Sequence, residues 1–98
     1  MKMRVLIVGV HSHLMERALA DAGNAGHDAE GVLVDQDPVE ALLRGGWDAV
    51  AIGGGVDEAL RDRLHASATT LDPTPELIEV YGPGTLLARL DKAREPDR

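Results

Sequence analysis

The sequence contains no cysteine and no phenylalanine, and Trp47 and Tyr81 are its only Trp and Tyr residues. Without cysteine, disulfides, thiol catalysis and cysteine-ligated metals are excluded. With so few aromatic side chains, a core must be built from Val, Leu, Ile, Ala and Met. A chain that cannot form disulfides is consistent with a cytoplasmic location, which we therefore expect.

Positive charge is also scarce, since 10 Lys and Arg stand against 17 Asp and Glu and the formal net charge is -7. Nucleic acids and anionic membranes attract basic protein surfaces, and this sequence has no Lys/Arg cluster. We therefore expect neither as a partner. The apolar run over residues 1–10 is too short to span a membrane, and it lacks the small-residue cleavage pattern of a signal peptide.

The composition is otherwise that of a globular protein, with 44% hydrophobic and 28% charged residues in a chain of 98. This length fits one domain near the lower end of the common size range. We therefore expect a single domain over residues 1–98, with a charged and frayed tail at 95–98. Internal repeats and low-complexity segments are absent from the sequence.

Four short apolar segments predict strands. Residues 3–10 are almost continuously apolar and β-branched, which is typical of a central strand covered on both faces. Residues 29–34 include Glu30 and Gly31, which favours a strand at the sheet edge. Residues 47–52 form a third apolar run, in which Trp47 is expected to fill the core under the second helix. Residues 76–81 form the fourth strand.

Each strand is followed by a helical pattern. The first helix is predicted from an N-cap at Ser12 to residue 22, ended by Gly23 in the left-handed conformation. The second helix has three start signals: an N-cap at Asp37, a proline at the first helical position, Pro38, and the capping-box glutamate Glu40.

Apolar spacing indicates which side of each helix faces the sheet. On the first helix the apolar side is Leu14, Ala18, Leu19 and Ala22. The third helix, over residues 57–67, turns Leu60 and Leu64 inward and Arg61, Asp62 and Arg63 outward. A final helix is predicted over residues 86–93. Alternating strands and helices predict a parallel sheet with helices on both faces.

The first strand, the helix that begins at Asp37 and the strand over residues 47–52 resemble the first three βα units of a response-regulator receiver domain. The resemblance covers roughly residues 3–90. It implies a three-layer α/β fold of the flavodoxin-like or receiver-like kind. In the fold that we expect here, a four-stranded parallel sheet with the strand order 2-1-3-4 packs against four helices.

The residues that give receivers their chemistry are missing from the matching positions. Receivers place magnesium-binding acidic residues after strand 1, where this chain has Gly9, Val10 and His11. Their phosphoacceptor aspartate ends strand 3, where Gly53 stands. A Thr or Ser ends their strand 4, near Tyr81 or Gly82 here, and their lysine lies on a fifth strand for which this chain has no room. The resemblance therefore implies a pseudo-receiver, a non-catalytic regulatory or protein-interaction module without a cofactor.

The turn from Tyr81 to Thr85 resembles the last strand-to-helix turn of cobalamin-binding domains, which also has the sequence Gly-Pro-Gly-Thr. Those domains carry an Asp-x-His-x-x-Gly motif after strand 1. Residues 11–16 contain histidines, but neither the aspartate nor the glycine is present. Cobalamin is therefore not expected as a cofactor.

The alternative function is binding of a small anionic ligand, such as a nucleotide or phosphate, or a minor enzymatic activity. Its candidate residues lie on loops at the carboxyl ends of the strands: Gly53, Gly54, Gly55, Gly82, Gly84, Thr85, His11 and His13. Glycine loops before helices present backbone N–H groups to anions, but they also form tight turns without any ligand. The two histidines, with Asp35 or Asp57, form a conceivable metal site, but solvent-facing histidines are the favoured interpretation and no metal is expected.

A four-stranded sheet leaves strand 4 at an edge, where receivers have a fifth strand. Exposed sheet edges are commonly paired or covered by another chain. We therefore expect a homodimer, with another protein as the alternative partner. The expected interface residues lie on strand 4 and the final helix: Leu77, Tyr81, Leu86, Leu87 and Leu90.

Overall fold

The computed structural model describes residues 3–80. The predicted final helix over 86–93 and the tail at 95–98 lie outside these residues. The described part alternates strands and helices as the sequence predicts, in the order β1 (Arg4–Gly9), α1 (Ser12–Asn24), β2 (Asp28–Leu33), α2 (Pro38–Leu43), β3 (Ala49–Gly53), α3 (Glu58–Ala68) and β4 (Glu76–Val80). It thus contains three of the four predicted helices.

The strands form one four-stranded sheet in the order β2-β1-β3-β4. All three pairings are parallel, with Val5 beside Ala29 and Ala49, and Ala49 beside Glu76. The predicted strand order is therefore confirmed, including the edge position of β2. The order and the parallel pairing are consistent with a flavodoxin-like fold.

Two apolar clusters show that the sheet is the middle of three layers. On one face, α1 contributes Met15, Ala18 and Ala22 to a cluster with sheet residues that include Val5 and Ile7. On the other face, α2 and α3 pack against the alternate sheet residues, which include Leu6, Val8, Val50 and Ile52. Side chains of a strand alternate between its two faces, so β1 and β3 are buried on both sides.

The start and end of α1 differ from the prediction. Ser12 is the first helical residue and His11 is the N-cap, and the side of α1 that contacts the sheet includes Met15. Leu14, which was expected on the buried side, is exposed. Gly23 remains helical, and the left-handed conformation occurs at Gly26, where φ is 88°.

The second helix follows its sequence signals closely. The Asp37 carboxylate accepts a hydrogen bond from the Glu40 N–H at 3.3 Å, and Pro38 is the first helical residue. The chain leaves the helix through Gly45 and Gly46, both at positive φ. One feature was not predicted, because Asp37 itself has φ 57°, a left-handed conformation that few residues other than glycine adopt.

Trp47 lies between α2 and the sheet, as predicted. Its side chain is buried in the same cluster as Ala41 and Leu42. The indole Nε1–H donates to the Ala41 carbonyl at 3.1 Å, which satisfies the one polar group of the ring. Within residues 3–80, no helix is both long enough and apolar enough to cross a membrane.

Candidate functional site

The sheet has a topological switch point between β1 and β3. The chain leaves β1 toward α1 on one face and leaves β3 toward α3 on the other face, so the loops diverge at the carboxyl edge. Ligands of open α/β sheets bind at such a point. His11 and His13 lie at the start of α1, and Gly53 ends β3, so the structure brings these predicted residues to the same edge.

Packing accounts for two of the three consecutive glycines after β3. A Cβ atom on Gly53 would lie 3.3 Å from the Val8 carbonyl oxygen, and one on Gly55 would lie 3.2 Å from Cγ2 of Val10. Both distances are tight contacts for a side-chain carbon. A side chain at either position would require the end of β1 to shift by a few tenths of an ångström, so glycine favours the close approach of the loop whether or not a ligand binds.

The N-termini of α2 and α3 already carry negative groups. Asp57 accepts the Leu60 N–H at 2.8 Å, and Glu58 lies in the first turn of α3. Asp37 and Glu40 occupy the corresponding positions on α2. A helix N-terminus attracts anions through its unpaired N–H groups and its dipole. At α3, carboxylates of the chain itself therefore offset the attraction that the glycine-loop hypothesis requires.

The start of α1 is different, because the side chain of its N-cap residue His11 makes no capping hydrogen bond and its first turn has no acidic residue. His11 and His13 are exposed, with ring centroids 5.9 Å apart. Val10 and Leu14 are the flanking apolar residues, and their exposed fractions are 39% and 44%. We refer to Val10, His11, His13 and Leu14 as the β1–α1 corner.

The described residues offer no ligand set for a metal ion. Between residues 3 and 80, no three His, Asp or Glu side chains come together in a way that would hold one. His11 and His13 are therefore not joined there by Asp35 or Asp57.

Arg61 has a role at this edge that the sequence analysis missed. It was expected to face outward, but its side chain is only 25% exposed and points back to the loop after β3. Its Nη2 donates to the carbonyls of Gly53 at 3.4 Å and Val56 at 3.2 Å. A usable sequence signal existed, since Arg61 precedes buried Leu64 and Ala68 by three and seven residues and shares their side of α3.

The remaining predicted residues are placed only in part. Leu77 is half-buried and packs against the cluster under α2 and α3. The other predicted ligand and interface residues lie outside the described part of the chain: Tyr81, Gly82, Gly84, Thr85, Leu86, Leu87 and Leu90.

No protein-family model matches this chain, and neither does any curated protein or solved structure. Any assignment of function therefore rests on the fold and on the geometry of the carboxyl edge.

Proposed function

We propose that this chain is a non-catalytic regulatory module of pseudo-receiver type that binds another protein chain through the β1–α1 corner. The observation that carries the proposal is the exposure of Val10 and Leu14 at the edge where the loops diverge. Burial of apolar surface is the main favourable term in most protein association. Leu14 is available for it because α1 presents Met15, and not Leu14, to the sheet.

The ends of the two central strands support a role without catalysis. β1 ends at Gly9 and β3 ends at Gly53. The residues that stand where receivers carry acidic side chains, residues 9–11 and Gly53, contain no carboxylate. The loop after β3 lies against Val8 and Val10 of the chain itself. The ends of the two central strands therefore lack the carboxylates that phosphotransfer requires.

We also propose a homodimer, formed at β4 and so at a different face from the β1–α1 corner, and a cytoplasmic location. Within residues 3–80, β4 pairs with β3 alone, which supports an edge position that a second copy can cover. Anion binding at Gly53–Gly55 stays a prediction of the sequence, and the Asp57 cap argues against it.

Leu14→Asp tests the binding face, and Leu43→Asp is its matched control. Leu43 is 47% exposed at the end of α2, at the opposite edge of the sheet. Both variants place one new carboxylate on an exposed helical leucine. Cross-linking in cells identifies the partner, and binding of the purified partner measures association at this face. Size-exclusion chromatography with light scattering measures self-association, which is expected to be the same in both variants because the homodimer is proposed at β4.

We expect Leu14→Asp to weaken binding at least tenfold, as one carboxylate buried against an apolar partner would, while Leu43→Asp binds normally. Equal binding by the wild type and both variants would refute the proposed face. Loss of binding in Leu43→Asp alone would also refute it and would indicate that the binding face lies at the other edge of the sheet.

A further inference from the structure

Among the loops of residues 3–80 at the carboxyl edge, the one between β3 and α3 is the richest in glycine. It runs through Gly53, Gly54 and Gly55 and reaches the helix cap at Asp57. Glycine has more backbone freedom than any other residue, so the loop itself supplies little to hold one conformation. Its internal hydrogen bond joins the Val56 N–H to the Gly53 carbonyl at 3.1 Å.

Arg61 supplies a restraint from outside the loop. Its guanidinium reaches back over one turn of α3 and donates to carbonyls near both ends of the loop, those of Gly53 and Val56. Both bonds come from Nη2, so the planar guanidinium keeps Nη1 for a further partner, whereas the ammonium group of a lysine has a single nitrogen. The first turn of α3 and the end of β3 are thus joined through one side chain.

Glu79 holds that side chain in place from the next strand. Its Oε1 lies 3.2 Å from Nη1 of Arg61, and both side chains are about a quarter to a third exposed. In the register of the sheet, Glu79 lies beside Ile52, the residue before Gly53. The ion pair therefore connects the glycine loop to β4 as well as to α3.

The pair is incompletely satisfied. Nε of Arg61 and Oε2 of Glu79 are buried and have no hydrogen-bond partner among residues 3–80. Buried polar atoms without partners oppose the arrangement that buries them. The closed arrangement is therefore closer in free energy to an opened one than a fully paired arginine and glutamate would be.

We propose that Arg61 and Glu79 form a conformational latch that holds the glycine loop against β1, and that opening it releases the loop without unfolding the sheet. Release withdraws Gly55 from Val10, which it contacts in the closed form. The latch thus controls the shape of the switch point between β1 and β3. This inference does not depend on the β1–α1 corner being a binding face.

Residue-resolved amide hydrogen exchange of the full chain tests the latch. The Val56 amide reports on the loop, and the Asp48 amide, which donates to the Arg4 carbonyl at 2.8 Å, reports on the opposite edge of the sheet. The variants are Arg61→Gln, Arg61→Lys and Glu79→Gln. Arg44→Gln is the control, because it breaks an exposed ion pair with Glu30 that lies away from the loop.

We expect Arg61→Gln to speed exchange at Val56 by about tenfold relative to Asp48, which indicates local opening. Arg61→Lys gives little rescue because its ammonium group has a single nitrogen, and Glu79→Gln, which keeps the shape of the side chain, gives a smaller acceleration. Arg44→Gln leaves Val56 unchanged. Two results would overturn the latch. One is an unchanged exchange rate at Val56 in Glu79→Gln and Arg61→Lys. The other is an equal acceleration at Val56 and Asp48 in each variant that folds, which would indicate global rather than local opening.

Discussion

The guanidinium of Arg4 lies over the indole ring of Trp47, 4.4 Å from the ring centroid. The same residue donates its backbone N–H to Oδ2 of Asp48 at 2.8 Å and Nη1 to the Gly45 carbonyl at 3.5 Å. Arg4 begins β1, whereas the other three residues lie between α2 and β3. These contacts therefore close the amino edge of the sheet across its two central strands.

Arg4→Met is expected to lower the free energy of unfolding by about 0.5 to 1 kcal/mol, the usual contribution of an exposed cation–π contact. Methionine retains much of the apolar stem and leaves the backbone bond to Asp48 in place. Urea denaturation followed by the fluorescence of Trp47, the single tryptophan, measures the change. Arg63→Met, at an exposed position on α3, is the control, and an equal loss in both variants would contradict a specific contact with the ring.

Gly31→Ala is expected to destabilise the protein by about 1 to 3 kcal/mol through overpacking. A Cβ atom on Gly31 would lie 2.5 Å from Sδ and 2.9 Å from Cγ of Met15, so α1 must move or Met15 must change rotamer. Gly23→Ala is the opposite control, because Gly23 is helical with open space around it. Gly23→Ala is expected to raise the free energy of unfolding by about 0.5 to 1 kcal/mol.

The double variant Gly31→Ala/Met15→Ala identifies the cause. If the clash with Met15 is responsible, the two losses are less than additive by about 1 kcal/mol or more. Strictly additive losses in urea denaturation would show that Gly31 is needed for its backbone and not for the space it leaves to α1.

Those elements that depend on local signals were predictable from the sequence. The apolar runs of β1 and β3 predict buried strands because both faces are covered, and Asp37 with Pro38 predicts the start of α2 because both act within one turn. The strand order followed from the alternation of strands and helices, together with the receiver resemblance. The burial of Trp47 was predictable because a large, mostly apolar ring next to a buried strand is most stable in the core.

Features that depend on how a helix is turned against the sheet or on distant partners were predicted wrongly. Successive helical residues lie about 100° apart around the axis, so the side of α1 that holds Ala18 and Ala22 includes Met15 and leaves Leu14 exposed. The inward position of Arg61 depends on loop carbonyls and on Glu79, which lies 18 residues away in the sequence. Charge alone had indicated an outward side chain.

The two aspartate N-caps are expected to differ in their tolerance of alanine. Asp57 has φ -70°, so Asp57→Ala loses the bond to the Leu60 N–H and costs about 1 kcal/mol. Asp37 has φ 57°, so Asp37→Ala loses a cap and also places alanine in the left-handed region, for a total of about 2 kcal/mol. Asp37→Gly loses the cap but avoids the cost of the left-handed backbone. Of the three variants, it is therefore expected to lower the midpoint of thermal unfolding least. Equal costs for Asp37→Ala and Asp37→Gly would show that the left-handed backbone at this position carries no strain.

The wild-type protein is expected to form no stoichiometric phosphate adduct when it is treated with acetyl phosphate and Mg²⁺. Aspartyl phosphorylation needs a carboxylate at the carboxyl end of the central strand, and β3 ends at Gly53. The nearest carboxylate along the chain after β3 is Asp57, which is hydrogen-bonded as the cap of α3. Intact-mass spectrometry measures the adduct, and a competent receiver domain treated in parallel confirms that the phosphodonor is active. A stoichiometric adduct on this chain would contradict both the pseudo-receiver interpretation and the proposal of a non-catalytic module, and mapping its position would identify the acceptor.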